Sequence, residues 1–490
     1  MRKKFKRIAL SLFLGGALLA SSTAKSFAGL QIDFGNDGYL KVDIKLQFFA
    51  EHTNIGSGPN GLGSRNDMHF QRMRLTFQGM IDDTWGAQFQ TCGNPTTTKS
   101  ALGYMKDSSV NDPNDRSVKI IDAYIIGNFS DNLKMKLGLT KIPLTRENLI
   151  DCFAPLEMDR SMYVYTPYGN SAETFSRNFG VVFWGTFFED HLKYWLAAMQ
   201  GREGSANWSL NSPTNVTVPN QMGYMPSGVS GVTSPQPSNT NLMYIARVHY
   251  SFLDPEPGGS GYLGTYFGKK KILTIGVGAM LQPNAVYKNV NAPNYNSYSN
   301  AYTYGYVPAV YDPSTGKIIK PAQPAKNQLI NDDTANMKAF AADLMFEYPF
   351  ENIGTLTTTA QYLAVNFDNA YETNQNPADQ STYIAGLNGQ KHGYLGQLAF
   401  MPDFKIGEEG RIQPYIGYQR WNFAKLLGIT NQVIKEYSGG INYYIKGQNV
   451  RITAEYLRTD FDKETGMMSV AAPYTITGFN TFRMMFQLVF

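Results

Sequence analysis

The stretch Leu40-Lys41-Val42-Asp43-Ile44-Lys45-Leu46-Gln47-Phe48 alternates apolar and polar residues without a break. Side chains of a β-strand point to opposite faces with a period of two, so this segment has one apolar and one polar face. The same phase returns in Met73, Leu75 and Phe77 against Arg72, Arg74, Thr76 and Gln78, and in Leu133, Met135, Leu137 and Leu139 against Lys134, Lys136 and Thr140. It appears again in Val450, Ile452, Ala454 and Tyr456 against Arg451, Thr453 and Glu455.

Alternation alone fits a soluble sandwich as well as a membrane barrel. The connections separate the two. Strands are predicted near 39–49, 67–80, 84–91, 117–130, 132–140, 177–188, 191–200, 241–254, 271–282, 337–348, 355–367, 391–402, 411–423, 434–446, 449–459 and 479–490. Between them long and short connections take turns: 81–83, Asp131, Glu189-Asp190, 349–354, 403–410 and 447–448 are short, whereas 50–66, 92–116, 141–176, 201–240, 283–336, 368–390 and 460–478 are long; 255–270 and 424–433 are intermediate. Short periplasmic turns and long outer loops give this rhythm in bacterial outer-membrane barrels. The predicted fold is therefore all-β, a 16-stranded antiparallel transmembrane barrel. The last strand places Phe482, Met484, Phe486, Leu488 and Phe490 on one face and stops on the aromatic residue. Closing it onto the first strand removes every exposed edge.

The amino terminus points to the same compartment. Arg2, Lys3, Lys4, Lys6 and Arg7 precede the uncharged run Ile8 to Ala20, and Ser26-Phe27-Ala28 offers small residues for cleavage, so residues 1–28 read as a signal peptide and 29–490 as one barrel domain. The segment before residue 29 holds six of the 43 Lys and Arg; the other 37 face 39 Asp and Glu, a net charge of −2. Nucleic acid, which calls for a clustered basic surface, is not an expected partner. The expected partners are outer-membrane lipid and small hydrophilic solutes or anions.

If apolar faces meet lipid, polar faces meet water. The lumen candidates are Lys41, Asp43, Lys45, Arg72, Arg74, Lys134, Lys136, Lys193, Arg247, Asp343, Glu347, Arg451, Glu455 and Arg483, ten bases to four acids. Such an excess raises the local concentration of anions, unless opposite charges pair across neighbouring strands and only keep the lumen wet. The third long loop, 141–176, mixes charge with aromatics in Arg146, Glu147, Asp151, Glu157, Asp159, Arg160, Tyr163, Tyr165, Tyr168 and Glu173. Folded inward it would narrow the water path and set a field across it; the alternative is a loop packed over the outer rim.

Ile121-Asp122-Ala123-Tyr124, then Leu137-Gly138-Leu139-Thr140-Lys141-Ile142-Pro143 with Arg146-Glu147, resembles the phosphate-selective porin O and P family. Glu157, Asp159-Arg160-Ser161 and Arg177-Asn178-Phe179-Gly180-Val181 with Gly185 are similar to that family's following blocks. The resemblance implies a 16-stranded outer-membrane channel, a homotrimer, and an inward-folded third loop. The sequence departs from the family's anion-selective pattern, a ladder of lumen arginines and a lysine cluster near the constriction, in two respects: only Arg72 and Arg74 form a close arginine pair on one strand face, and the third loop is not rich in lysine.

Two other classes compete. A barrel-wall hydrolase needs an activated nucleophile; the nearest approach is His249 with Ser251 on one strand face, which reads as ordinary wall. A surface adhesin would use the loops 201–240 and 283–336. No metal, cofactor or catalytic residue is predicted. The only cysteines, Cys92 and Cys152, could form one disulfide in an oxidising compartment or remain two thiols. Gly276-Val277-Gly278 lies inside an alternating strand, where small residues ease packing.

Overall fold

The computed structural model describes residues 29–35, 37–93, 118–161, 163–164, 177–201, 241–257, 259–287, 310–311, 318–320, 334–368, 390–426, 429–465 and 474–490. The predicted signal peptide lies outside them. Sixteen long strands run β1 Gly38–Ser57, β2 Gly63–Met80, β3 Trp85–Gly93, β4 Val118–Ser130, β5 Leu133–Lys141, β6 Arg177–Phe187, β7 Leu192–Met199 and β8 Met243–Ser251. They continue with β9 Ile272–Tyr287, β10 Thr334–Phe350, β11 Gly354–Asn366, β12 Lys391–Pro402, β13 Arg411–Leu426, β14 Ile429–Lys446, β15 Val450–Thr465 and β16 Ile476–Val489. Each pairs antiparallel with its sequence neighbours, and β16 closes onto β1 with Thr481 opposite Thr53 and Val489 opposite Lys45. The result is a closed 16-stranded antiparallel barrel.

Closure is completed by both ends of the chain. Phe490 exchanges two backbone hydrogen bonds with Ile44, at 2.6 and 2.9 Å. Below that point the short strand Leu30–Phe34 takes over the same edge of β1, with Leu30 opposite Val42 and Phe34 opposite Gly38. This strand was not predicted from the sequence. It gives the backbone groups of residues 38–42 partners where β16 has ended.

The strand ends toward the long loops reach further than alternation indicates. β1 continues to Ser57 and β14 begins at Ile429, so the connections there shrink to 58–62 and 427–428. The physical reason is that the outward face turns polar at His52, Asn54 and Lys435, which ends the hydrophobic signal while the hydrogen-bonded ladder continues. In β2, a bulge at Gln71 shifts the register between Gln47 and Phe48 and keeps both His69 and Arg72 on the inner side.

Outward side chains form an apolar belt that includes Ile416, Ile441, Phe482 and Phe486, all strongly exposed. At the short-turn end Trp85, Phe129, Phe187, Phe188, Phe252, Phe350, Phe404 and Phe490 make an aromatic girdle.

Candidate functional site: a constriction built by two inward segments

The expectation that inner faces line water holds for only part of the wall. From β7 to β14 the inner positions Trp195, Met199, Met243, Ile245, Met280, Met337, Ala341, Leu363, Val365, Leu395, Trp421, Phe423 and Ile434 are apolar and buried. They pack with Ile142, Leu144, Leu149, Ile150, Tyr163 and Val164 of the third long loop. That loop therefore builds a dry core against part of one side of the barrel, while other inner positions of that side, among them Arg247, Asp343 and Glu347, are polar and buried, as is much of the inner face of β1–β6.

The loop's course follows from its chemistry. Thr145 caps a single helical turn, Arg146–Leu149, by accepting from Asn148 N. The chain then crosses the lumen and is held at every step by inner-wall side chains. Lys45 of β1 meets Asp151 at 2.7 Å, and Arg72 of β2 meets Asp159 at 2.7 Å. Gln487 of β16 donates to Phe153 O at 2.8 Å, and Asn442 of β14 donates to Leu156 O at 2.8 Å. Arg451 of β15 donates to Pro155 O and Glu157 O, while Ser438 donates to Glu157. Glu455 accepts from Met158 N and Tyr415 OH and is paired with Arg483. Glu147 accepts from Ser161 N at 3.0 Å, and Arg160 donates to Ile150 O at 3.2 Å. Residues 165–176, with Tyr165, Tyr168 and Glu173, lie outside the described residues.

A second inward segment had no counterpart in the prediction. The connection between β8 and β9 belongs to the short-turn end yet runs from Phe252 to Lys271, and it folds up into the barrel to meet the third loop from below. Tyr262 N donates to Leu149 O at 3.3 Å, Asp151 N to Tyr262 O at 3.2 Å, and Gly264 N to Ala154 O at 2.8 Å. The junction is locked by Arg146, which makes a two-pronged ion pair with Glu256 at 2.8 and 2.7 Å. Both side chains are almost fully shielded, at 3% and 0% exposure. Tyr266 OH donates to the same carboxylate, and the Arg146 guanidinium lies 4.3 Å from the Tyr262 ring centroid. Beneath, Arg247 and Asp343 form another buried pair at 2.7 Å, and Glu347 accepts from Thr265, Thr357 and the backbone of Tyr266 and Gly268. Lys193 donates to Gly259 O. Arg247, Lys193 and Glu347, read from the sequence as channel lining, thus serve as anchors of the turn.

A cavity of about 400 Å³ stays open along β1–β7. It is lined by Lys45, Arg74, Lys136, Lys141 and Arg177 against Asp43, Asp122 and Asp151, with Tyr124, Trp195 and Tyr262 as aromatic walls. Asp122 is paired with Arg177 at 2.9 Å and Asp151 with Lys45. Lys136 is held by the Ser260 hydroxyl, and Lys141 donates to Leu149 O and Ile150 O, groups that carry no negative charge to cancel theirs. Lys134 sits at the rim beside Asp131 and over Trp184. Asp122, Lys141 and Arg177 were not singled out as lining, although all three stand in the blocks that carry the family resemblance. Length was the available signal for the turn: it is the one connection at the short-turn end that breaks the rhythm.

Arg72 and Arg74 have different surroundings. Arg72 is 2% exposed, donates to Gln47 as well as Asp159, and fastens the loop; Arg74 faces the cavity. Arg72→Gln should therefore increase open-channel noise, while Arg74→Gln should shift selectivity at constant noise; current recordings at fixed voltage distinguish them.

Glu147 of the third loop and Glu256 of the turn respond to pH with opposite sign. Burial pushes Glu147 up to about 7, so the contribution of its neutral form is complete below the ordinary glutamate value of about 4.5 and is lost as pH rises through 7. Glu256 is penalised by burial too, but Arg146 outweighs it and holds the carboxyl at about 2, so this pair persists through the mildly acidic range. Loop noise should rise between pH ~6 and ~8 in the native protein, and Glu147→Gln should flatten that rise.

Cys92 and Cys152 are both buried and form no disulfide, so the disulfide alternative does not hold in this structure. His249 is engaged by Tyr262 OH at 2.7 Å and Ser251 by Thr274 at 3.0 Å, so they form no dyad. Gly278 of β9 supports the packing interpretation: a Cβ there would lie 2.2 Å from Leu144 O. No group of three or more metal-ligating side chains occurs among the described residues. Of the loops invoked for adhesion, 202–240 and most of 288–333 lie outside the described residues.

Comparison with known proteins adds a family match. Residues 41–245 match the family model for phosphate-selective porin O and P. No curated protein matches the chain. Among solved structures, the outer membrane channel DcaP of Acinetobacter baumannii is 11% identical, with 95% of this chain and 100% of that one covered and a TM-score of 0.47. An anion-selective porin from Comamonas acidovorans is 10% identical, with coverage of 92% and 100% and a TM-score of 0.46. OmpF of Salmonella typhi is 12% identical, with coverage of 94% and 100% and a TM-score of 0.45. The barrel assignment rests on the strand registers and not on these likenesses.

Proposed function

We propose that this chain is a porin of the O and P type: a bacterial outer-membrane channel for passive diffusion of small hydrophilic solutes, with a preference for anions, working as a homotrimer. The observation that carries the reading is the cavity of about 400 Å³ inside a closed barrel, where five cations face three carboxylates. A fixed excess of positive charge between low-dielectric walls concentrates anions and repels cations. The third loop and the turn 252–271 narrow the path, so a solute passes beside Lys136 and Lys141 with little water between.

Passive diffusion asks nothing of the protein but shape and field. The chain's role is to hold Lys45, Arg74, Lys136, Lys141 and Arg177 along one side of the path while the dry core keeps the two inward segments from moving. The matching of Asp122 to Arg177 and Asp151 to Lys45 lets solutes leave again, because conduction needs attraction that is moderate. The mature chain, without the leader 1–28, is the form placed in the membrane.

The test is single-channel conductance of purified protein in a planar bilayer, with the reversal potential read under a KCl gradient and phosphate added afterwards. Steady conductance with an anion-selective reversal potential is expected. Lys136→Gln with Lys141→Gln should cut the anion-to-cation permeability ratio several-fold, since each removed charge changes the local potential by about one to a few kT. Cation selectivity would discard the anion preference and keep the channel. A folded barrel with no conductance would overturn the porin reading and favour a surface-binding role.

A further inference from the structure

The alternation that turns Gln419, Glu436 and Thr459 inward turns Arg420, Lys435 and Arg458 outward, onto the membrane side of β13, β14 and β15. Arg420 stands directly opposite Lys435, and Arg458 opposite Tyr437. The three cations interleave with a tyrosine band, since Tyr394 stands opposite Arg420: the Tyr418 and Tyr437 rings are 5.0 Å apart, and Tyr394 and Tyr418 6.1 Å. Below the band comes the apolar belt, with Ile416 61% and Ile441 51% exposed. Tyrosines mark the level where a bilayer passes from acyl chains to headgroups, so the cations stand at headgroup height.

Their charges are unevenly matched. Lys435 has Asp462 at 2.7 Å and Arg458 has Asp460 at 2.6 Å. Arg420 has no ion pair among the described residues, and its Nε is buried without a hydrogen-bond partner. Like charges directly opposite on antiparallel strands destabilise the pair. An anion seated between Arg420 and Lys435 removes that repulsion and satisfies the guanidinium. Beside this position the outer wall lacks side chains at Gly396, opposite Tyr418, and at Gly439, opposite Ile416 and Tyr456; nothing lies within 4 Å of where either Cβ would be. They leave two shallow gaps, one on either side of β13, and the one at Gly439 lies two outward positions along β14 from Lys435, toward the apolar belt.

We propose that this face binds a phosphorylated glycolipid of the outer leaflet, its phosphate between Arg420 and Lys435 and an acyl chain in the gap at Gly439. Arginine is suited to phosphate because its planar fork donates two parallel charge-assisted hydrogen bonds. The gap distinguishes an amphiphile from a free anion, which has no use for an apolar recess. The assignment rests on the outer-membrane placement given above, and conductance measured on the same preparation tests that placement separately.

The experiment uses the purified full-length mature protein, taken through detergent exchange with bisphosphorylated lipid A or its dephosphorylated form and examined by native mass spectrometry. The bisphosphorylated form should be retained about tenfold more, a difference of the size expected for one charge-assisted phosphate contact. The double variant Arg420→Gln, Lys435→Gln should lose that preference while conductance, which depends on the inner wall, stays unchanged. Equal retention of the two lipids by the native protein overturns the proposal. So does a double variant that keeps the preference, or displacement of the lipid by millimolar inorganic phosphate.

Discussion

Glu256→Ala should unlock the constriction. It leaves the Arg146 guanidinium at 3% exposure with its two strongest hydrogen bonds gone. Removing one partner of a buried ion pair costs about 3–5 kcal/mol, because the remaining charge stays desolvated and uncompensated. The barrel's own ladder does not depend on this pair, so the loss falls on the docking of the third loop against the turn 252–271. Arg146 is expected to swing toward the cavity water and to carry the helical turn 146–149 with it. The measurable consequences are a higher and noisier single-channel conductance and faster proteolytic cutting within the turn, with the heat-modified mobility of the barrel unchanged. The double variant Arg146→Met, Glu256→Met separates charge from contact: an apolar pair of similar volume is often neutral or stabilising relative to a buried ion pair, so it should restore quiet conductance. A Glu256→Ala channel as quiet as the native one would show that the third loop is held by its wall contacts alone.

The fold was legible because a membrane barrel writes one face of every strand in apolar residues, as in Leu40 to Phe48 and Phe482 to Phe490. It became illegible where that constraint ends. At Glu51 to Asn54 both faces are polar and the ladder runs on unseen; at Leu30 to Phe34 the alternation spans only five residues and does not stand out. The site was harder to read for another reason. Sequence alternation says which way a side chain points, and does not say what fills the space it points into. Arg247, Lys193, Glu347 and Arg451 do point inward, yet each holds an inward segment, Arg247 by donating to Leu144 O and Tyr262 OH. The inward Met243, Met280 and Met337 would be anomalous in a water-filled lumen; they make sense only once Ile142, Leu144 and Tyr163 are packed against them. Asp122 and Arg177 pair across 55 positions of sequence, a contact that no local pattern could display.

Gly264→Val should separate the two inward segments from below, with a larger effect than the same change at Gly417. Both glycines lie against the third loop, and in both cases an added Cβ meets an atom at short range. At Gly417 the nearest atoms are the Glu157 carboxylate at 1.7 Å and the Ser438 hydroxyl at 2.4 Å. These are ends of side chains, and a rotation of Glu157 clears the space. At Gly264 they are Leu156 N at 2.2 Å, the carbonyl carbon of Pro155 at 2.6 Å and Ala154 O at 2.8 Å, all backbone. That backbone cannot yield, since Leu156 O is fixed by Asn442 and Pro155 O by Arg451 on the far wall. The turn must therefore retreat toward the periplasmic end, breaking the Gly264 N to Ala154 O hydrogen bond and drawing Glu256 away from Arg146. Overpacking of this kind costs about 1–3 kcal/mol, and the disturbed ion pair adds to it. Gly264→Val should raise single-channel conductance about as far as Glu256→Ala does, and combining the two should add little, because each releases the same junction. Full additivity would mean that Gly264 and Glu256 act on separate parts of the pore, and a Gly417→Val channel more perturbed than Gly264→Val would place the decisive contact at the wall instead of at the turn.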